Sequence, residues 1–400
     1  MIARSVRTWT LALVTFGMVE PLSSSAADEP GHLADALTLK QPEWTIDGIA
    51  IRPGGFAYAT GYTSSQSGDY GKQGVTGQAR VNVQAQRIFD NGMGLGARVD
   101  VLIHYDDLSG DNYGNDFFER AYLFAQTGFG RVEVGQNDGV GYSMGLAGPI
   151  VDEHITLENP DSTLFRDRVT GKPFGQFHKR LTVVAASSNF SKVNYVSPRL
   201  FDLQFGASFT PNMVKAPLPG IENPEDIPGR QSDIWEVAVN YTAHLSEVTV
   251  GVSAAYSHGS LENRTPGFSD LYDWALGAQI TYTLSDVKLS LGGAYRTTNA
   301  YLFDDAQALS GSEAHRAHLS VLAEMGSWRL GGEYAMASAH GPVNYDFKAY
   351  QAGIGYKIND NMQVSIGWQW YIYTRATGTF VNGSPELAMN AGFLSLSYAL

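Results

Sequence analysis

Gly94-Leu-Gly-Ala-Arg-Val-Asp-Val-Leu-Ile-His-Tyr105 sets Arg98, Asp100 and His104 on one parity and Leu95, Ala97, Val99, Val101, Ile103 and Tyr105 on the other. Successive side chains of a strand point to opposite faces, so this segment reads as a β-strand with one polar and one apolar side. The stretch before it, Gln78-Ala-Arg-Val-Asn-Val-Gln-Ala-Gln86, repeats the pattern, with every even position polar and every odd one apolar.

The alternation recurs to the end of the chain, with large aromatics on the apolar parity. Tyr272, Trp274, Leu276, Ala278, Ile280 and Tyr282 alternate with Asp273, Ala275, Gly277, Gln279 and Thr281. Met362, Val364, Ile366, Trp368, Trp370 and Ile372 alternate with Gln363, Ser365, Gly367, Gln369 and Tyr371. Runs of about 9 to 13 residues cross a bilayer when tilted, and are about twice the usual length of a sandwich strand. Chain ends usually fray and turn polar. Here Gly392, Leu394, Leu396, Tyr398 and Leu400 keep one parity to the last residue.

Connections sort by length. Short links fall at 90–93, 127–130, 197–202, 244–247, 284–286, 325–327 and 358–361. Between them lie longer polar ones near 63–73, 106–116, 138–180, 211–233, 259–270, 297–313, 338–346 and 374–386. Strict alternation of short and long links is the rhythm of a membrane barrel whose hairpins open on opposite sides of the bilayer. The expected fold is therefore all-β: a transmembrane antiparallel β-barrel of about 16 strands with both termini in the periplasm.

Composition agrees. Gly 44, Tyr 21 and Phe 19 in 400 residues favour strands and tight turns, and no run downstream of the leader reaches helix-spanning length. Arg4 and Arg7 precede the apolar run Thr10-Leu-Ala-Leu-Val-Thr-Phe-Gly-Met-Val19 and the small residues Ser23-Ser-Ser-Ala-Ala27. That is the form of a secretory signal peptide, residues 1–27, cut after Ala26 or Ala27. Its loss removes Arg4, Arg7 and Glu20, which takes the formal charge from −13 to −14 and excludes nucleic acid as an expected partner. The absence of cysteine excludes disulfides and thiolate chemistry. Residues 28–53 form an amino-terminal periplasmic or lumen segment, and 54–400 the barrel.

Phe190-Ser-Lys-Val-Asn-Tyr-Val-Ser-Pro-Arg-Leu-Phe-Asp-Leu-Gln-Phe-Gly-Ala-Ser-Phe209 resembles the strand, Ser-Pro turn and strand that follow the inward loop of general bacterial porins. Arg120-Ala-Tyr-Leu-Phe-Ala-Gln-Thr-Gly-Phe-Gly-Arg-Val-Glu-Val-Gly-Gln136 resembles the hairpin before that loop. The resemblance implies a homotrimer in the outer membrane of a Gram-negative bacterium, in contact with lipid and lipopolysaccharide. It also implies an inward-folded third long loop, and here the third long link, 138–180, is the longest. The loop lacks the family's Pro-Glu-Phe-Gly-Gly-Asp type of turn. The implied function is passive diffusion of small hydrophilic solutes and ions, with no cofactor and no enzyme chemistry.

Polar parity faces a water-filled lumen, so the bore and the field across it set what passes. Arg80, Arg98 and Arg131 on the wall, set against Asp138, Asp152, Glu153, Glu158 and Asp161 of the loop, are the expected constriction. Arg80 and Arg98 are expected to face Asp152, Glu153 and Glu158. The acidic excess favours mild cation preference. A sugar- or anion-selective porin is the alternative channel. A barrel hydrolase is the alternative from another class, prompted by Gly141-Tyr-Ser-Met-Gly145 with Asp161 and His178 following. That motif works on a strand-to-helix turn of a largely parallel sheet, which the alternation does not provide. His315 and His318 point to opposite faces of one strand and share no metal. The acidic stretch 106–116 does not fit the spacing of a helix-flanked calcium loop.

The last strand should pair with Phe56-Ala-Tyr-Ala-Thr-Gly-Tyr62 and close the barrel. Tyr398 and the apolar parity above it resemble the porin family's assembly signal, with Leu400 where the family usually ends in Phe or Trp. If Leu400 slows assembly, Leu400→Phe raises the yield and rate of folded barrel in a heat-modification gel; an unchanged rate removes that role.

Overall fold

In hydrocarbon every backbone N–H and C=O must find its partner within the protein, which leaves a strand-built wall no free edge. The computed structural model describes residues 41–65, 73–106, 118–158, 164–165, 182–213, 229–262, 266–301, 304–308, 310–341, 344–375 and 384–400. The expected signal peptide, the acidic stretch beyond Asp106 and most of the proline-rich link lie outside the described residues.

The chain rises and falls through β1 (Trp44–Ile46), β2 (Ile49–Ser64), β3 (Gln73–Ile88), β4 (Gly94–Asp106), β5 (Phe118–Thr127) and β6 (Gly130–Gln136). A one-turn helix, α1 (Val140–Ser143), follows inside the long link. Then come β7 (Ser191–Val196), β8 (Leu203–Asn212), β9 (Gln231–Leu245), β10 (Val248–Leu261), β11 (Leu271–Leu284) and β12 (Val287–Thr298). A small hairpin, β13 (Ala300–Tyr301) and β14 (Asp304–Ala308), sits in the next long link. The wall ends with β15 (Glu313–Met325), β16 (Trp328–His340), β17 (Tyr345–Lys357), β18 (Met362–Arg375) and β19 (Glu386–Ala399). Without β1, β13 and β14 these make one closed antiparallel sheet of sixteen strands, each paired with its neighbours in sequence.

Closure lies where the alternation put it. Phe393, Ser395, Ser397 and Ala399 pair with Tyr62, Thr60, Tyr58 and Phe56, and the N–H of Leu400 donates to the carbonyl of Gly55 at 2.8 Å. β2 runs on past the end of β19, from Gly54 back to Ile49, and its edge there is met by β1, with Trp44 opposite Ile51 and Ile46 opposite Ile49. Asp47 (φ 50°) and Gly48 (φ 77°) make the tight turn, since two positive φ values match the twist of a two-residue hairpin. Trp44–Ile46 thereby cover the step left at the seam, while residues 49–53, expected ahead of the barrel, belong to its first wall strand and pair with β3.

Partition of side chains is the reverse of a water-soluble protein. Val81, Val99, Leu276, Leu291, Trp368 and Leu394 project outward and exposed, whereas Thr60, Gln78, Asp100, Ser253, Gln369 and Ser395 are buried on the inner face. Such an apolar exterior needs lipid around it. No helix among the described residues is long and apolar enough to cross a membrane; the strands do the crossing.

The link between β6 and β7 turns inward and follows the wall. The N–H groups of Val140 and Leu146 donate to Ser208 and Ser253, each at 2.8 Å. Arg329 and Gln363 donate to the carbonyls of Ile150 and Val151 at 2.8 and 3.0 Å. Glu236 holds both arms, accepting from the N–H of Gly141 at 3.1 Å and of Ser187 at 3.2 Å. The approach is close enough that a Cβ on Gly277 would lie 2.0 Å from the carbonyl oxygen of Leu146. Ile155, Leu157, Leu164 and Phe165 then pack on Phe347, Tyr371, Tyr373 and Phe393, all buried. The inner parity of β17 to β19 is therefore partly apolar, a correction to the expectation that it faces water on every strand.

Elsewhere the interior is polar and paired. Arg296 binds Asp273 through two hydrogen bonds, at 2.8 and 2.6 Å, with neither side chain exposed. Removing one partner strands a buried charge, at a cost of about 3–5 kcal/mol. Arg296→Ala should accordingly lower the temperature at which the barrel shifts in a heat-modification gel, and the double change Asp273→Leu, Arg296→Met should lower it less.

Candidate pore constriction

Two residues apart on one strand means the same face, and on three adjacent strands that rule brings acids beside bases. Arg98 donates to Asp100 on β4 at 2.7 Å, and Arg131 to Glu133 on β6, also at 2.7 Å. Between them β5 carries a bulge. Asp100 pairs with Arg120 but Val101 pairs with Phe118, so Glu119 is the extra residue. A bulge re-aims side chains, and here consecutive residues both face inward. Glu119 takes Arg80 of β3 at 2.6 Å, while Arg120 reaches Asp138 at 2.8 Å and Asp100 at 3.0 Å.

This ladder matches Arg80, Arg98, Arg120 and Arg131 with Glu119, Asp100, Asp138 and Glu133. Aromatic faces hold two of its cations: the guanidinium of Arg80 lies 5.1 Å from the ring centre of Phe56, and that of Arg131 lies 3.9 Å from that of Phe124. The arginines stay partly open, with Arg98 30% and Arg131 25% exposed.

The inward loop reaches the same wall at His154. Its ring stacks on Tyr58 at 4.4 Å and leans on Phe56 at 4.7 Å, beside Arg80. Burial holds the imidazole below its ordinary pKa, against the raising effect of Asp152 and Glu153, and Arg80 adds to the lowering. Glu153 is exposed. Asp152 is buried and accepts from the N–H groups of His154 and Ile155 at 2.9 and 3.0 Å, fixing its own turn. Glu158 is buried too, and accepts from the N–H and hydroxyl of Thr182 at 2.9 and 2.8 Å. Burial pushes its carboxyl up, opposed by His318 and the bonds from Thr182.

The eight residues expected at the constriction thus separate. Arg80, Arg98, Arg131 and Asp138 join one wall ladder, and Glu153 sits on the loop next to the residue that touches that wall. Asp152 and Glu158 turn into the loop and the opposite wall, so the expected facing of Arg80 and Arg98 by those two does not occur. Asp161 lies outside the described residues. The physical reason is desolvation, because a carboxylate on a loop packed against a wall is buried and must be satisfied there.

Glu119, Arg120 and Glu133 were missed, although Glu133 follows Arg131 by two and was legible as its same-face partner. The bulge at Glu119 has no signal in one sequence. Gly141-Tyr-Ser-Met-Gly145 falls on α1 and its exit, a single turn with no parallel sheet behind it. His315 and His318 do face opposite ways, His315 bonding the outward Tyr295 at 2.8 Å and His318 lying inside.

Solved structures with the same architecture include the anion-selective porin of Comamonas acidovorans (11% identity, TM-score 0.57, 88% of this chain and 100% of that one). Salmonella typhi OmpF in complex with daunomycin matches at 13% identity and TM-score 0.57, over 90% of this chain and 100% of that one. The outer-membrane protein OmpT of Vibrio cholerae, in a trimer form, matches at 14% identity and TM-score 0.55, over 88% and 100%. At these identities they share the fold. Comparison with curated proteins gives no significant match. The family model for Gram-negative porins matches residues 11–379. A closed barrel with an inward loop and a charged inner wall, matched by that model over nearly its whole length, belongs to the Gram-negative porin family and is an outer-membrane channel for passive diffusion.

Proposed function

We propose that the channel passes small hydrophilic solutes and ions with mild cation preference, through a constriction between the ladder of β3 to β6 and the loop tip at Glu153 and His154. The observation that carries this reading is the pairing within the ladder. Four arginines and four carboxylates add no net charge, which leaves exposed Glu153 and the acidic excess of the chain to bias the field. Charges beyond the constriction are screened within about 8 Å at physiological salt, so the bias is small. A dipolar solute finds donors and acceptors side by side along the ladder, whereas an apolar one must displace ordered water without replacing its bonds. Three copies assembled through the small outward residues of β2 and β3, among them Ala57, Ala59 and Ala79, fit a surface that lacks the large aromatics of β9 to β18. Residues 1–27 would direct export and be removed. Exposed Lys348 on the outer face of β17 suits the phosphates of lipopolysaccharide.

The second channel reading, selectivity for anions or sugars, draws on the partly exposed arginines. Planar-bilayer recording distinguishes them. In a salt gradient the reversal potential should show cations favoured by roughly twofold, with Glu153→Gln reducing the ratio; clear anion selectivity, or saturable block by one sugar, supports the second reading instead. Conductance steps should come in threes. Gly277→Leu, which forces the Leu146 segment off the wall and into the lumen, should lower unit conductance by roughly a third to a half without loss of folded barrel.

A further inference from the structure

The loop is tied to the wall mostly through neutral groups or single carboxylates that accept its N–H bonds. One tie is different. His318 of β15 is buried between two acids, its Nδ1 3.7 Å from Glu158 of the loop and its Nε2 3.2 Å from Glu333 of β16. Glu333 also accepts from the N–H of Leu157 at 3.0 Å, from the hydroxyl of Thr156 and from Gln351 at 2.9 Å. Glu158 Oε2 is satisfied by Thr182, whereas Oε1 has no hydrogen-bond partner among the described residues and faces the ring.

A neutral imidazole carries one N–H and can donate to one acid; an imidazolium donates to both. Two buried carboxylates near each other repel unless a cation lies between them. We infer that His318 is a positioning residue for permeation: its protonated ring clamps the loop carboxylate Glu158 to the wall carboxylate Glu333, and so holds the loop against the wall and fixes the bore. When the ring loses its proton to solvent, the second N–H is gone and the two carboxylates repel. The strands are locked by their ladders, so the loop is the part that yields. The clamp is present on the acid side and is lost as pH rises through the ring's titration.

The other charges facing the ring do not reverse this. Arg316, two residues along the same face of β15, opposes protonation but stands against two acids within reach of the nitrogens. Arg296 of β12 is already bound to Asp273, and β17 presents the neutral Gln351.

The test records the purified full-length protein in planar bilayers from about pH 5.5 to about pH 9, a span that covers an imidazole's range. Channel steps at the acid end report the pore itself; the change in their open-channel noise reports the clamp. Noise power should rise about threefold or more toward the alkaline end, as a loosened loop samples the lumen on the timescale of loop motion. Glu158→Gln, which a neutral ring can bond, and His318→Lys, which keeps the charge, should each stay quiet across the range. His318→Gln should be noisy at every pH. Wild-type noise that is flat from end to end overturns the inference, and so does a rise that persists unchanged in either quiet variant. The wild-type record decides even if a variant fails to fold.

Discussion

A sheet standing in hydrocarbon cannot keep an unpaired edge, and the rest of this molecule follows from that constraint. It forces β19 back onto β2, with pairing carried through to the bond from the N–H of Leu400 to Gly55. It also explains β1. Where β19 stops at Gly55, the remaining edge of β2 is met by three residues from the segment ahead of the barrel, turned by Asp47 and Gly48.

Closing sixteen strands creates an interior too wide for wall side chains to fill. The link between β6 and β7 occupies it, and its backbone then faces the problem the wall has just solved. Its N–H and C=O groups are buried away from bulk water and need partners, which Ser208, Ser253, Glu236, Glu333, Arg329 and Gln363 provide. Where the loop buries apolar side chains, the wall answers with Phe347, Tyr371 and Tyr373 on a parity that elsewhere is polar. The inward loop is thus packed by the rules of an ordinary core, inside a protein whose exterior inverts them.

The same rules sort the charges. A carboxylate pressed against the wall is desolvated and pairs locally, as Glu158 does with Thr182 and His318, so it is not free to set a field across the lumen. The wall arginines are met by acids of their own and neighbouring strands, and they keep partial exposure because the lumen on their side is open. The inner wall of β3 to β6 is thus a neutral ladder of alternating donors and acceptors, with exposed Glu153 nearby on the loop.

Alternation at period two determined the strands, their faces and the outward direction of Trp368 and Leu394, because each residue's face depends only on its place in its own strand. Loop lengths determined the strand count and the closing pair, because hairpins leave few ways to connect an antiparallel wall. Same-face spacing even held the pairs Arg98 with Asp100 and Arg131 with Glu133. The bulge that turns Glu119 inward, the burial of Asp152 and Glu158, the packing of the loop on the aromatics of β17 to β19 and the meeting of Glu158, His318 and Glu333 were decided by tertiary structure alone. All but the bulge depend on which wall the loop comes to rest against, and that contact joins residues such as Glu158 and Glu333 far apart in the chain, whose proximity no local period records.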